Sequence, residues 1–184
     1  MELVAWLERD LAYIRHAILQ IEAGTVERFA DRLLRARHVF LAGSGRSGLV
    51  LQMFAMRLMQ LGLSAHVAGE PTTPAIKADD LLVVASCSGE TESAILAAQQ
   101  ARKAGASIHA ITALADSPLA AVADDCLLIP KITTKLDREG LPGLPLGTAF
   151  EQCLLLVVDG VIPVMVRRMG LKDEDLRERH ANLD

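Results

Sequence analysis

The run Leu81-Leu82-Val83-Val84-Ala85 passes without a break into Ser86-Cys87-Ser88-Gly89-Glu90-Thr91. A helical pattern follows at once, carried by Ala94, Ile95, Ala97, Ala98 and Ala101. A wholly apolar strand needs cover on both faces, which a parallel sheet between helix layers supplies. The strand therefore ends in a hydroxyl-rich turn that opens a helix. A helix N-terminus carries unpaired backbone N–H groups and the positive end of the macrodipole. With the Ser88 and Thr91 hydroxyls at the same place, the turn favours a dianionic phosphate. It holds no lysine and lacks Walker spacing, which argues against a nucleoside-triphosphate loop.

The rest of the chain repeats this alternation. Leu3, Trp6, Leu7, Leu11, Ile14, Ile18 and Ile21 fall at helical spacing, and Gly24-Thr25 breaks the pattern. Thr25 is the expected cap of a second helix reaching Arg35. Strands are expected at 38–42, 64–68, 81–85, 107–112 and 126–129, with helices at 49–61 and 92–104. Ser117-Pro118 caps a short helix, with proline in its first turn. Five strands alternating with helices predict a parallel sheet with right-handed crossovers. Residues 131–146 have no clear period and carry Gly140, Pro142, Gly143 and Pro145. Unstructured stretches of this length in compact domains are often functional. A strongly apolar helix is expected over 147–169 and a last polar helix over 171–179.

Composition closes off several classes. The 184 residues suffice for one domain with a real core. The net charge of −4 argues against a nucleic-acid footprint. The chain is 51% hydrophobic but only 3% aromatic, so the core is aliphatic and helix faces are available for burial in an oligomer. The three cysteines, Cys87, Cys126 and Cys153, are too scattered for a disulfide framework or a zinc site. None of the five histidines has metal spacing. The first residues, MELVAWLERD, have no basic region before an apolar run, so no signal peptide is expected. The apolar run 153–166 is broken by Asp159-Gly160 and reads as too short to cross a bilayer. A cytoplasmic protein without a membrane partner is expected.

Three groups of residues carry candidate chemistry. Gly43-Ser44-Gly45-Arg46-Ser47-Gly48 matches the glycine fingerprint of dinucleotide-binding turns, with Glu70 near the place of a ribose-binding acid. Its two serines and arginine instead make an anion-friendly turn. The bland reading is a tight turn in which glycine only supplies positive φ. Ligand contact is favoured because a second hydroxyl-rich turn follows the third strand, and open parallel sheets bind ligands beyond the strands' carboxyl ends. Ser86, Ser88 and Thr91 place three hydroxyls in six residues, more than a helix cap requires. Glu151 lies among Ala149, Phe150, Cys153 and Leu154. A carboxylate desolvated there would be raised toward neutrality and suit a general base. An ion pair with an arginine such as Arg167, or with a neighbouring chain, is the alternative, and the residues leave both open. Asp159 reads as structural. His180 and Arg177-Glu178-Arg179 read, on the residues alone, as a solvated tail and face.

Taken together, the loop 42–48, the run SCSGET at 86–91, the segment PLGTAFE at 145–151 and the ending RHANL at 179–183 resemble the 6-phospho-3-hexuloisomerases. These are enzymes of the sugar isomerase (SIS) domain family, and the resemblance spans nearly the whole chain. It implies one SIS domain over 1–184, with N-terminal helices at 1–36, a sheet core at 37–170 and a C-terminal helix and tail at 171–184. The implied fold is a flavodoxin-like α/β sandwich of five parallel strands flanked by helices. The implied reaction interconverts D-arabino-hex-3-ulose 6-phosphate and D-fructose 6-phosphate, without metal or organic cofactor, in formaldehyde fixation or its reverse. Homotetramers with active sites between subunits are implied. By position, Ser86, Ser88 and Thr91, with the backbone of Cys87, Gly89 and Glu90, would hold the phosphate. Ser44, Arg46 and Ser47 would face the sugar, Glu151 would be the base, and His180 would come from a neighbouring chain. Cys87 stands where the family often has a smaller residue. Other phosphosugar isomerases of this fold, acting on arabinose 5-phosphate or sedoheptulose 7-phosphate, are the rival enzymes. A non-catalytic sugar-phosphate-binding SIS module is the rival from another class.

Overall fold

The computed structural model describes residues 2–130 and 147–182. The segment 131–146, and Leu183 and Asp184 of the expected ending, lie outside the described residues. The elements run α1 (Glu2–Ile18), α2 (Thr25–Arg35), β1 (Val39–Gly43), α3 (Gly45–Gln60), β2 (Ala65–Val67) and β3 (Leu81–Ala85). They continue with α4 (Glu92–Lys103), β4 (Ser107–Thr112), α5 (Pro118–Val122), β5 (Asp125–Leu128), α6 (Thr148–Met169) and α7 (Asp173–Glu178).

The five strands are all parallel, in the order β2-β1-β3-β4-β5. The expected α/β sandwich is therefore present. Strand side chains alternate between faces, and the two faces have separate cores. Val39, Leu41, Leu81, Val83, Ile111 and Leu127 meet Phe29, Phe54 and Phe150 from α2, α3 and α6. Phe40, Leu82, Val84, Ile108 and Ala110 meet Ala94, Ala98, Ala101 and Leu119 from α4 and α5. Small residues on α4 let that helix lie close to the sheet. The three phenylalanines are fully buried, and truncating such a residue to alanine costs about 3–5 kcal/mol.

Register decides where the loops gather. Gly43 pairs with Ala85, and Ala85 with Ile111, so β1, β3 and β4 finish level. The order of the sheet reverses between β1 and β3, because β1 leads outward to β2 while β3 leads to β4. Such a switch point opens a crevice at the strands' carboxyl ends.

Some local expectations change. Helix α3 starts at Gly45 rather than Leu49, so the glycine-rich motif is the helix's first turn. Gly24, at φ 81°, takes the cap position of α2, and Thr25 Oγ1 accepts from Arg28 Nη2 at 3.0 Å. The Ser117 cap is present, its Oγ accepting from the Ala120 amide at 3.3 Å. Helix α6, at Thr148–Met169, matches its expected span to within one residue. At 22 residues and a mean hydropathy of 1.9 it has the length and composition to cross a membrane. Here it packs against α1, α2 and α3, burying Phe150, Leu154, Val158 and Met165. Its other face leaves Leu156, Asp159, Gly160 and Pro163 exposed. Arg179 is exposed, as expected, but also anchored: Nη1 donates to the carbonyls of Gln60 (3.3 Å) and Asp175 (3.4 Å). It lies over Gly62, where a Cβ would sit 3.2 Å from Cζ, which ties α7 to the far end of α3.

Candidate active site

Strands β1 and β3 deliver their loops side by side into a cavity of about 320 Å³. Ser44, Gly45, Arg46 and Ser47 line it from the first loop, and Ala85, Ser86, Cys87, Ser88 and Thr91 from the second. Gly147 and Glu151 close it from the start of α6. The two motifs and the Glu151 segment, separate in sequence, thus form one site. Glu70 is not among the lining residues, which removes the ribose-binding acid that the glycine fingerprint suggested.

The glycines of the first loop are needed for two reasons. Gly45 has φ +56°, in the left-handed region. At Gly48 a Cβ would lie 2.5 Å from the Gly43 carbonyl oxygen, so the strand end and the helix start touch backbone to backbone. Only there does the turn bring Ser44, Arg46 and Ser47 to the cavity together.

Helices α3, α4 and α6 all begin at this cavity, and none has a side-chain cap. Ser44 and Thr91 hold the cap positions of α3 and α4 without bonding the helix amides, and Gly147 holds that of α6. The bland reading of Thr91 as a cap therefore fails. Three positive helix ends point toward one volume, each with first-turn amides that lack an intrahelical acceptor.

The hydroxyls are ordered among themselves. Ser86 and Thr91 share a hydrogen bond of 2.9 Å, and Ser86 Oγ accepts from the Gly89 amide at 3.1 Å. Ser88 Oγ accepts from the Glu90 amide at 3.3 Å. Both serines are buried. Gly89 and Glu90 do not line the cavity, because their amides turn inward to brace the loop. Gly89, at φ +65°, packs on Ser117, whose Oγ would lie 2.1 Å from an added Cβ. The Cys87 carbonyl is likewise occupied, accepting from Thr112 Oγ1 at 3.1 Å and from the Ala113 amide at 3.0 Å. Ser93, which the spacing did not single out, joins the two loops: its hydroxyl is 2.6 Å from that of Ser44. It occupies the first turn of α4, and only the sheet order brings it there.

Glu151 is not a lone dehydrated acid. Its side chain is 14% exposed and its Oε2 accepts from Arg46 Nε, so its partner is the arginine of the first loop and not Arg167. The pair sets a carboxylate and a guanidinium on the same cavity wall. Asp159, two turns further along α6, is exposed. His180 does not join this site within its own chain. It follows Arg179, which is fixed to the last turn of α3. The 16 residues of α3 put that turn about 24 Å from Gly45. His180 is exposed and its Nδ1 lies 3.0 Å from the Ala181 carbonyl oxygen.

Fold, switch-point cavity and uncapped helix ends define a parallel α/β protein with an anion-friendly cavity, and comparison with known proteins narrows the class. Residues 32–136 match the SIS domain family model. The chain is 44% identical to a 3-hexulose-6-phosphate isomerase of Mycobacterium gastri, over 90% of this chain and 83% of that one. It is 34% identical to the enzyme of the same name from Bacillus subtilis, over the full length of both. A crystal structure from Methanococcus jannaschii, for which a 3-hexulose-6-phosphate isomerase function was inferred, superposes with a TM-score of 0.85. That structure is 32% identical and is covered to 99%, against 96% of this chain. The protein is a member of the SIS domain family. Within it, the chain belongs to the 3-hexulose-6-phosphate isomerases, a family of phosphosugar isomerases.

Proposed function

We propose that the protein interconverts D-arabino-hex-3-ulose 6-phosphate and D-fructose 6-phosphate. The convergence of three uncapped helix ends with the Arg46–Glu151 pair on one cavity carries this reading. The phosphate sits at the start of α4, held by Ser86, Ser88 and Thr91 and by the positive end of that helix. This places the sugar chain toward Ser44, Arg46 and Ser47.

Moving the carbonyl from C3 to C2 requires one carbon-bound proton to change place. Glu151 accepts the proton from C2, and the electrons of the broken C–H bond form the C2–C3 double bond of a cis-enediol. The carboxylic acid then returns the proton to C3. In the same sequence the C2 hydroxyl loses its proton as C2 becomes the carbonyl, and the C3 oxygen gains one. Proton transfer by a positioned side chain contributes about 10²–10⁴-fold. Arg46 and Ser44 stabilise the developing enediolate oxygens, as fixed donors do for such charge. The reaction draws on no cofactor in this reading.

His180 acts from a neighbouring subunit, which the anchoring of α7 at the far end of α3 supports. A homotetramer with shared sites, working in the cytoplasm in formaldehyde fixation or its reverse, is the assembly proposed. The test is a coupled assay: formaldehyde, ribulose 5-phosphate and a hexulose phosphate synthase are combined with the protein. Added phosphoglucose isomerase then converts the product to glucose 6-phosphate. Formation of glucose 6-phosphate that depends on this protein and is lost in Glu151→Gln supports the reading. Absence of turnover by the wild type overturns it.

A further inference from the structure

A second cavity, of about 500 Å³, opens at the other end of the sheet. Arg32 and Arg35 line it from the last turn of α2, with Arg37 just beyond. Asp79, Asp80 and Leu81 line it where β3 begins, and Ser107 where β4 begins. A five-residue strand separates this end from the catalytic cavity, about 17 Å away.

Its charges are not balanced from within. Among the described residues, Arg32, Arg35 and Arg37 make no ion pair with a carboxylate. Arg32 is half-buried, with Nη2 only loosely placed at 3.5 Å from the Ile108 carbonyl, and its Nε is buried without a partner. Of the two carboxylates, Asp80 already accepts from the Lys77 amide at 2.7 Å and lies 2.8 Å from His38 Nδ1. Asp79 is exposed at the rim. A basic residue in the last turn complements the helix dipole, which accounts for charge at Arg32 and Arg35. It does not account for a buried, unpaired guanidinium nitrogen, whose desolvation is costly without a partner. Guanidinium groups present forked donors that match phosphate oxygens, and the Ser107 hydroxyl adds another donor at the wall.

We propose that this cavity binds a small, soluble phosphate-bearing anion, at a site separate from the catalytic one. The cavity size is that of small-molecule sites. Inorganic pyrophosphate is the probe. Calorimetric titration of the intact wild type is expected to show two pyrophosphates per chain. Arg35→Gln and Arg37→Gln, both exposed and so harmless to the fold, are expected to weaken one site severalfold each with unchanged melting temperature. The triple variant Arg32→Gln/Arg35→Gln/Arg37→Gln is expected to weaken that site at least tenfold while keeping turnover. Ser88→Ala/Thr91→Val is expected to lose the other site and keep this one. In that variant, pyrophosphate should slow hydrogen exchange in residues 32–37 and 78–81. One pyrophosphate per chain in the wild type, or unchanged binding in the arginine single variants together with no protection in those segments, overturns the proposal.

Discussion

Arg46, in the first turn of α3, donates through Nε to Glu151, in the first turn of α6, across 105 positions of sequence. Each is the other's charge partner, and substitutions in the two are expected not to add. Glu151→Gln should abolish isomerisation, by about 10²–10⁴-fold, while phosphate-bearing ligands still bind. Arg46→Ala should lower kcat by about 10²-fold, the loss expected of a removed oxyanion donor. The double variant should be no slower than Glu151→Gln alone. Steady-state kinetics on the four proteins measures the coupling, and full additivity would separate the two residues.

The Ser86–Thr91 hydrogen bond and the burial of Ser88 hold these hydroxyls at the start of α4. Hydrogen bonds to charged groups contribute about 1.5–3 kcal/mol each. Ser88→Ala and Thr91→Val should each raise KM by about 10–100-fold, with a smaller change in kcat. A loss confined to kcat would move the phosphate elsewhere.

The anchoring of Arg179 on Gln60 keeps His180 far from its own chain's cavity. Chains carrying Glu151→Gln and chains carrying His180→Ala should each be inactive as pure assemblies. Coexpressed, they should regain turnover, because some sites then pair a native Glu151 with a native His180 from the neighbour. Failure of the mixture, with assembly verified by light scattering, would confine His180 to a structural role.

Gly48 touches the Gly43 carbonyl, and a methyl group there would approach it to 2.5 Å. Gly48→Ala should cost about 1–3 kcal/mol, as overpacking does, in urea unfolding. It should also impair turnover, because the first loop and Arg46 move with it. Unchanged stability would show that the strand end yields freely.

His109 is fully buried, stacked on Phe29 with ring centroids 4.2 Å apart, and neither ring nitrogen has a hydrogen-bond partner. Burial pushes it down from 6.5 to about 4, with Arg32 and Arg28 adding to this and Asp125 opposing. The unfolded chain protonates this histidine below pH 6.5 while the folded chain resists until about 4. The unfolded state therefore binds the extra proton in that window, and stability falls as the pH drops through it. The loss amounts to roughly 3 kcal/mol at most. Denaturant melts from pH 7 to pH 4 should show it, and His109→Leu should flatten that part of the profile.

Periodicity alone was enough to read the five strands, the helices between them and the parallel sheet, because alternation and helical spacing are local properties of the chain. The clustered hydroxyls of 86–91 and the glycine-rich turn likewise marked two loops that line one cavity. Helix ends were less legible: the glycines of 43–48 suit a loop or a helix's first turn equally, and the close approach of Gly43 and Gly48 settled it. The partner of Glu151, the Ser44–Ser93 bridge, the burial of His109 without a hydrogen bond and the seat of Arg179 on Gly62 were not legible at all. Each joins elements far apart in sequence, and which elements meet depends on the reversal of strand order and the hand of each crossover. Local pattern was enough to mark which segments are strands and helices and which turns gather hydroxyls and glycines. Which turns face each other was settled by packing two layers of helices onto one sheet, which no local pattern encodes.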